Sequence, residues 1–443
     1  FEQQFDDRNW AVWGYFAGSH VRGTEEAMVR IQTASNHFLQ RPDATRFSVD
    51  PDARSLSGRE WRVQLDKRNG RHWTGGIWLA EVSDVFEIND VGFSTNAERL
   101  DGGFRIGYRE IQPNSLFRNY DLNLSSFHNW SHEALDDMWS VGSWHDARTN
   151  GNYSLRASAQ LHNWWDVRTN LRYSPRTMSR NATRGGPMMV GPGSFSWNVD
   201  VNTDRRSPFN VGVNYDRSRD EIGGGGSDRV RVDFNVRPSD GLSISFTPEW
   251  EQSRSSDQYV TATSTLPYAP TYGSRYFFAD LDRTTVSMET RVDWTFSPTL
   301  SLQLFAQPLL SSGDYLRYKQ LAESKSFDFQ DFDAGTAVDQ GGTVTCSGGS
   351  ICELDGDQHV DLDDDGTVDW SFAGRDFNVR SLVGNAVVRW EYRPGSTIFF
   401  VWQRNQYLRA NRGDFDFSRD AQALFGLPSE NRFIVKVNYW LGL

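Results

Sequence analysis

From Asn431 to Leu443 the chain alternates with a period of two. Phe433, Val435, Val437, Tyr439, Leu441 and Leu443 share one parity, while Lys436 and Asn438 share the other. Successive side chains of a strand point to opposite faces, so this segment has one continuous apolar face backed by a largely polar one. It also ends without a polar tail, and in a water-soluble sheet such an edge would invite aggregation. A barrel that crosses a membrane instead needs this strand to seal against the first one. The expectation is an all-β chain forming an antiparallel transmembrane β-barrel over 1–443 as a single domain.

Composition supports that reading. Aromatic residues make up 14% of 443 residues, with 17 Trp and 29 Phe, yet the mean hydropathy is −0.62. Lipid-facing residues that alternate with water-facing ones, with aromatics gathered at two interfaces, produce this mixture. No run approaches the roughly 18 apolar residues of a membrane helix. The chain opens on Phe1 with no charged-then-apolar leader, as expected of a mature or trimmed form. A net charge of −12 argues against a nucleic-acid partner, whose affinity comes from Lys and Arg meeting phosphates.

The period-two signal recurs. Val286, Met288, Thr290, Val292, Trp294 and Phe296 alternate with Ser287, Glu289, Arg291, Asp293 and Thr295, and Leu382 to Tyr392 alternates with Asn385, Arg389, Glu391 and Arg393. Charges of both signs on the second face indicate a wet interior rather than a dry sandwich core. Glu289, Arg291, Asp293, Arg389 and Glu391 are therefore candidate lumen residues. Tight turns at 68–70, 112–115, 205–208, 238–241, 297–299 and 393–396 are separated by longer Gly-, Asp- or Ser-rich connections near 176–193, 219–226, 255–275, 313–377 and 409–429. Short periplasmic turns and long external loops are the two rims of an outer-membrane barrel. Counting back from the last strand predicts sixteen strands, or eighteen if 116–147 hides a hairpin. Thr24 to Gln40 reads as a helix in the first external loop, placed over the mouth, in the lumen or on the loop surface.

Several stretches resemble the C-terminal barrel domain of the DUF5916 family of bacterial outer-membrane proteins. They are Phe86 to Phe93 (FEINDVGF), Ala182 to Met188 (ATRGGPM), Tyr272 to Trp294, Leu300 to Tyr315 and Phe433 to Leu443. Members commonly carry a preceding domain similar to family 9 carbohydrate-binding modules, and this chain begins at about the barrel. The resemblance implies architecture and location, with no reaction to carry over.

Within the long loop 313–377, Asp361, Asp363, Asp365, Thr367 and Asp369 match the D-x-D-x-D-G-x-x-D pattern of Ca²⁺ loops. Alternate carboxylates converge on a hard cation, Gly366 permits the sharp turn, and the Thr367 carbonyl can add a ligand. Phe372 stands where the usual bidentate Glu would be, leaving Asp376, or Asp355 and Asp357, to complete the shell. The plainer alternative is a solvated acidic loop. Cys346 and Cys352, the only cysteines, are expected to form a local disulfide in an oxidising compartment. His128, His132, Glu133, Asp136 and Asp137 cluster in sequence, but in a strand or turn the two rings need not converge, and a polar barrel rim is the simpler reading. No G-x-S-x-G elbow occurs, and Gly223 to Gly226 lacks the context of a phosphate loop. Arg184 sits in a Gly/Pro-rich external loop, either as an inward constriction or as part of an ordered surface.

These readings predict a non-enzymatic barrel in the outer membrane of a Gram-negative bacterium, in contact with lipid bilayer and lipopolysaccharide. Its expected work is passage of polar solutes, carbohydrate-derived ones among them, with structural Ca²⁺ as cofactor. The rival is a plugged barrel acting as a surface anchor or assembly partner; a barrel hydrolase is the third.

Overall fold

A computed structural model describes residues 1–339, 341–363 and 365–441. Sixteen long strands follow one another, each paired antiparallel with its neighbours in chain order. The first eight are β1 (Trp10–Arg22), β2 (Ser55–Lys67), β3 (Trp73–Val82), β4 (Arg99–Glu110), β5 (Phe117–Trp130), β6 (Arg148–Leu161), β7 (Asp166–Ser174) and β8 (Ser194–Asn202). The second eight are β9 (Phe209–Asp220), β10 (Gly226–Ser239), β11 (Leu242–Thr263), β12 (Arg275–Ser297), β13 (Leu300–Leu321), β14 (Phe377–Arg393), β15 (Ser396–Ala410) and β16 (Glu430–Asn438). Two short strands, Glu2–Phe5 and Phe329–Asp331, flank β1 and β13 and bring the sheet to eighteen.

The connections alternate in length along the whole meander. Turns such as 68–72, 240–241, 298–299 and 394–395 lie at one end, and loops such as 23–54, 83–98, 175–193 and 322–376 at the other. The stretch 116–147 holds one strand, not a hairpin: after Trp130 it turns into a 3-10 segment, His132–Leu135, and a short helix, Val141–Asp146. Strands β11 and β13 run on into the loops expected from 255 and 313, to 22 residues each, and β12 between them has 23. At about 3.3 Å per residue such strands reach roughly 75 Å, more than twice what a membrane strand needs. Their upper halves build a separate shelf.

Helix α1 covers Glu25–Thr33, shorter than the expected 24–40. Thr24 caps it, its hydroxyl accepting from the Ala27 amide at 3.3 Å. Beyond β-branched Thr33, the poor helix formers Ser35 and Asn36 and the left-handed Phe38 (φ 48°) turn the chain away.

One expectation is not met. Among the described residues, β16 pairs only with β15, and no ladder joins it to β1. The edge of β1 from Trp10 to Trp13 is already occupied by Glu2–Phe5, folded back through left-handed Asp6, Asp7 and Arg8. Strand β16 also stops at Asn438 rather than Leu443, and 442–443 lie outside the described residues. What is observed is a very large antiparallel sheet with two free margins.

Its two faces differ sharply. On one, Phe16, Ile77, Leu79, Phe209, Phe400 and Val435 stand exposed, with Phe16 at 73% and Leu79 at 64%. The other carries Gln64, Asp66, Arg105, Arg156, Asp216, Arg229, Glu289 and Arg389, one residue out of step with those apolar rows.

Candidate functional site

The functional candidate is a cap of loops folded over the polar face at its long-loop end. It begins with a glycine. Gly58 lies on the polar face of β2, and a Cβ there would sit 2.2 Å from the Phe86 Cα. Only a bare backbone lets loop 83–98 lie flat on the wall, where Phe86 packs with Val82, Ala97, Ala17 and Ile88.

Helix α1 and its trailing segment lie on that loop. The Gln32 side chain accepts from the Asp50 amide at 2.7 Å and donates to the Asp50 carbonyl at 2.9 Å, closing loop 23–54 on itself. His37 bridges to loop 83–98 through the Asp84 carbonyl (2.7 Å) and the Glu87 carboxylate (3.0 Å), and the Asn36 amide group donates to the same carboxylate. Burial pushes the Glu87 carboxyl up, but these donors outweigh it and hold the group below its ordinary value.

Loop 175–193 reaches over the same place. Arg180, buried, donates to the carbonyls of Ala97 (3.0 Å) and Glu98 (2.8 Å) and to the Glu98 carboxylate. Glu98 also accepts from the His132 amide at 2.7 Å, adding loop 131–147 to the knot. Burial raises the Glu98 carboxyl, yet His132 and Arg180 outweigh it and leave it below the usual glutamate value. Desolvation lowers the Arg180 guanidinium, opposed by Glu98. Further along, the Met188 amide donates to buried Asp43 (2.8 Å), the Val190 amide donates to the Ser326 carbonyl, and the Lys325 amide donates to the Met188 carbonyl. Met189 packs with Tyr276, Phe278 and Leu321 on the shelf of β12 and β13. Five loops are thus tied into one lid. Beneath it a polar cavity of about 380 Å³ remains, between Asn96, Arg180 and Asn181 of the lid and Asp101, Asn129 and Asn150 of the wall.

The opposite face of the shelf carries the acidic loop. Phe277 stacks on Trp370 and packs with Ile351, Val360 and Phe372, which seats the strands Ile351–Leu354, Asp357–Val360 and Trp370–Ala373. Cys346 and Cys352 are disulfide-bonded there. The carboxylate oxygens of Asp361, Asp363 and Asp369 come within 4.8 Å of one another. Asp361 is buried and accepts from the amides of Asp365 (3.3 Å) and Gly366 (2.7 Å), with Gly366 in the left-handed region at φ 88°. Asp365 is turned to the Thr367 amide (2.7 Å), and Asp376 accepts from the Tyr315 amide on β13 (2.8 Å). The donor set is three converging carboxylates, a hard-oxygen arrangement that fits Ca²⁺. Asp364 lies outside the described residues.

The other sequence candidates disperse. Glu289 and Arg291 pair along β12 at 2.6 Å, and Arg389 and Glu391 along β14 at 3.1 Å; Asp293 shares their face. Arg184 does not meet wall carboxylates: its guanidinium lies over the Tyr259 ring at 5.2 Å, as part of the lid. His128 bonds Ser126 within β5, whereas His132 turns to Glu81 and Glu98, so the two imidazoles form no ligand pair. Sequence reasoning missed Asp43, Glu98 and Arg180. Each is a single charge in a loop, and only its burial marks it.

The DUF5916 model, a domain of unknown function, matches residues 15–337 and 353–443. No curated protein matches the chain in sequence. Among solved structures, a bacterial polysaccharide outer membrane secretin is similar at 9% identity, over 86% of this chain and 89% of that one, with a TM-score of 0.30. The ferric enterobactin receptor of Pseudomonas aeruginosa is similar at 10% identity, over 97% of this chain and 67% of that one, with a TM-score of 0.37. Both likenesses are distant. The family match, by contrast, takes in the wall, the lid segments 86–93 and 182–188 and the shelf, and the protein belongs to the DUF5916 family.

Proposed function

We propose that the sheet closes in the outer membrane of a Gram-negative bacterium as a sixteen-strand barrel whose charged face lines a gated path for polar solutes. The carrying observation is the exposed apolar face. Soluble monomers rarely leave contiguous apolar patches beyond a few hundred Å², whereas here such rows recur from β1 to β16. Aromatics support the same reading. Tyr120 and Trp130 share one face of β5, ten residues apart, in regular register with β4. Ten residues tilted by about 40° span roughly 25 Å, the height of the apolar band of an outer-membrane barrel. Trp73, Tyr108, Tyr120 and Phe117 form one aromatic row by the short turns, and Trp130, His128, Tyr153 and Tyr173 another toward the loops.

Closure in this reading brings β16 against the free edge of β1 from Tyr15 to Arg22, above the segment held by Glu2–Phe5. Lipid and lipopolysaccharide cover the apolar face, no chemistry is catalysed, and the lid gates one end. A Ca²⁺ ion at Asp361, Asp363 and Asp369 would pin the acidic loop to the shelf. The same lid also suits the rival, a plugged anchor. Single-channel recording in a planar bilayer separates the two: stepwise conductance supports the path, and a silent bilayer with verified insertion favours the plug.

A further inference from the structure

A cavity of about 600 Å³ lies away from the lid on the polar face of β6 to β9. Its wall is rich in arginine. Arg168, Asn170 and Arg172 alternate along β7 on one face, and Arg156 of β6 stands directly opposite Asn170. Arg156 is therefore a diagonal neighbour of both other arginines, at about 7–8 Å in such a ladder. All three side chains are exposed in the cavity.

Charge accounting in this cavity is uneven. Asp200 is engaged by Arg168 at 3.3 Å and by Asn202 at 2.6 Å. Asp216 is engaged by Arg229 at 2.8 Å and Asn198 at 2.6 Å. Among the described residues, Arg156 and Arg172 have neither an ion pair nor a side-chain hydrogen bond, whereas Arg229, Arg231, Arg291 and Arg389 on the same face are each paired with a carboxylate. A chain of net charge −12 thus keeps two unmatched guanidinium groups beside a third in this recess. Guanidinium presents a rigid fork of donors that fits carboxylate, sulfate and phosphate oxygens two at a time. Asn170, Asn198 and Asn214 add neutral amide groups around them.

We infer that Arg156, Arg168 and Arg172 form an oxyanion-binding ladder that selects solutes carrying carboxylate or phosphate groups. Binding requires only that the polar face be wet; its use in passage rests on the solute-path reading above. The ladder sets charge preference, with the lid controlling access from one side.

The test titrates the full barrel in detergent micelles, freed of lipopolysaccharide, with pyrophosphate, glucuronate and glucose, read by calorimetry and NMR. The variants are R156Q/R172Q and, as control, R389Q, whose guanidinium is paired with Glu391 on another sector. Both oxyanions are expected to bind and glucose is not. R156Q/R172Q should weaken oxyanion binding at least tenfold, with R389Q within twofold of the parent. Binding of pyrophosphate alone, with no glucuronate response, would narrow the class to phosphates and overturn the sugar-acid arm. Absence of oxyanion binding, or equal loss in both variants, would overturn the inference. A KCl gradient across a bilayer then separates the readings. Anion selectivity lost in R156Q/R172Q supports both, and oxyanion binding with no conductance refutes the path while keeping the ladder. Cation selectivity unaffected by R156Q/R172Q refutes the ladder's role in selection.

Discussion

Arg180 and Glu98 hold the lid to the wall, and removing one partner should cost more than removing both. In Arg180→Gln the two carbonyls at 97 and 98 lose charged donors, and the buried Glu98 carboxylate retains only His132. Breaking a buried pair on one side costs about 3–5 kcal/mol, chiefly because a charge is left uncompensated. Glu98→Gln strands the Arg180 guanidinium in the same way, while E98Q/R180Q leaves no buried charge uncompensated and should cost less than either single change. The expected coupling is therefore strongly non-additive, on the order of 2–3 kcal/mol or more. The assay is hydrogen exchange in micelles at Ala97, whose amide donates to the Asn36 carbonyl across the lid, which reads local opening without requiring global unfolding. The pH dependence adds a sign. Glu98 is held below its ordinary value of 4.5, so its contribution is complete above that pH and fades as pH falls through the lower folded value. In Arg180→Gln one of the groups that lower it is gone while His132 stays, so Glu98 takes up its proton at a higher pH than in the parent, and acidification should restore part of the lid's protection. Additive costs, or a double variant worse than both singles, would refute the pair as the lid's fastening.

Three further outcomes follow from the geometry. Gly58→Ala should release loop 83–98, since the new Cβ falls 2.2 Å from Phe86 backbone; limited proteolysis unchanged at 84–95 would contradict this. Trp164, whose ring lies between the guanidinium groups of Arg118 and Arg206 at 3.5 Å each, joins three neighbouring turns; Trp164→Ala should cost about 1–2 kcal/mol in urea unfolding, and a cost near zero would remove it as a clasp. Adding EDTA should speed protease cleavage within 355–369 and lower thermal stability, with Asp361→Asn insensitive to the chelator; identical behaviour with and without EDTA would exclude the Ca²⁺ site.

The wall was legible in the sequence because a strand's two-residue period writes its faces directly into side-chain order. Val286 to Phe296 and Phe433 to Val437 could be placed by parity alone, and turn pairs such as Pro394-Gly395 marked where the direction reverses. The lid was not legible. Arg180, Glu98, Asp43 and Met188 lie in irregular loops with no period, and contacts such as Met188 to Asp43 span 145 residues. The free margin was also misjudged. The alternation of β16 says which face is apolar, but not that Glu2–Phe5 already holds the edge of β1 it was expected to meet. The converging aspartates were visible as a motif, whereas the turning of Asp365 to a backbone amide was not.

The central claim is that the apolar face meets lipid while the charged face meets water. Spin labels placed singly along β15 from Thr397 to Arg404 in bilayers test it, since both native cysteines are bonded to each other. The account predicts oxygen accessibility peaking at 398, 400 and 402, and accessibility to a water-soluble nickel reagent peaking at 399, 401 and 403. Equal access of the nickel reagent to both sets would contradict a membrane-spanning wall.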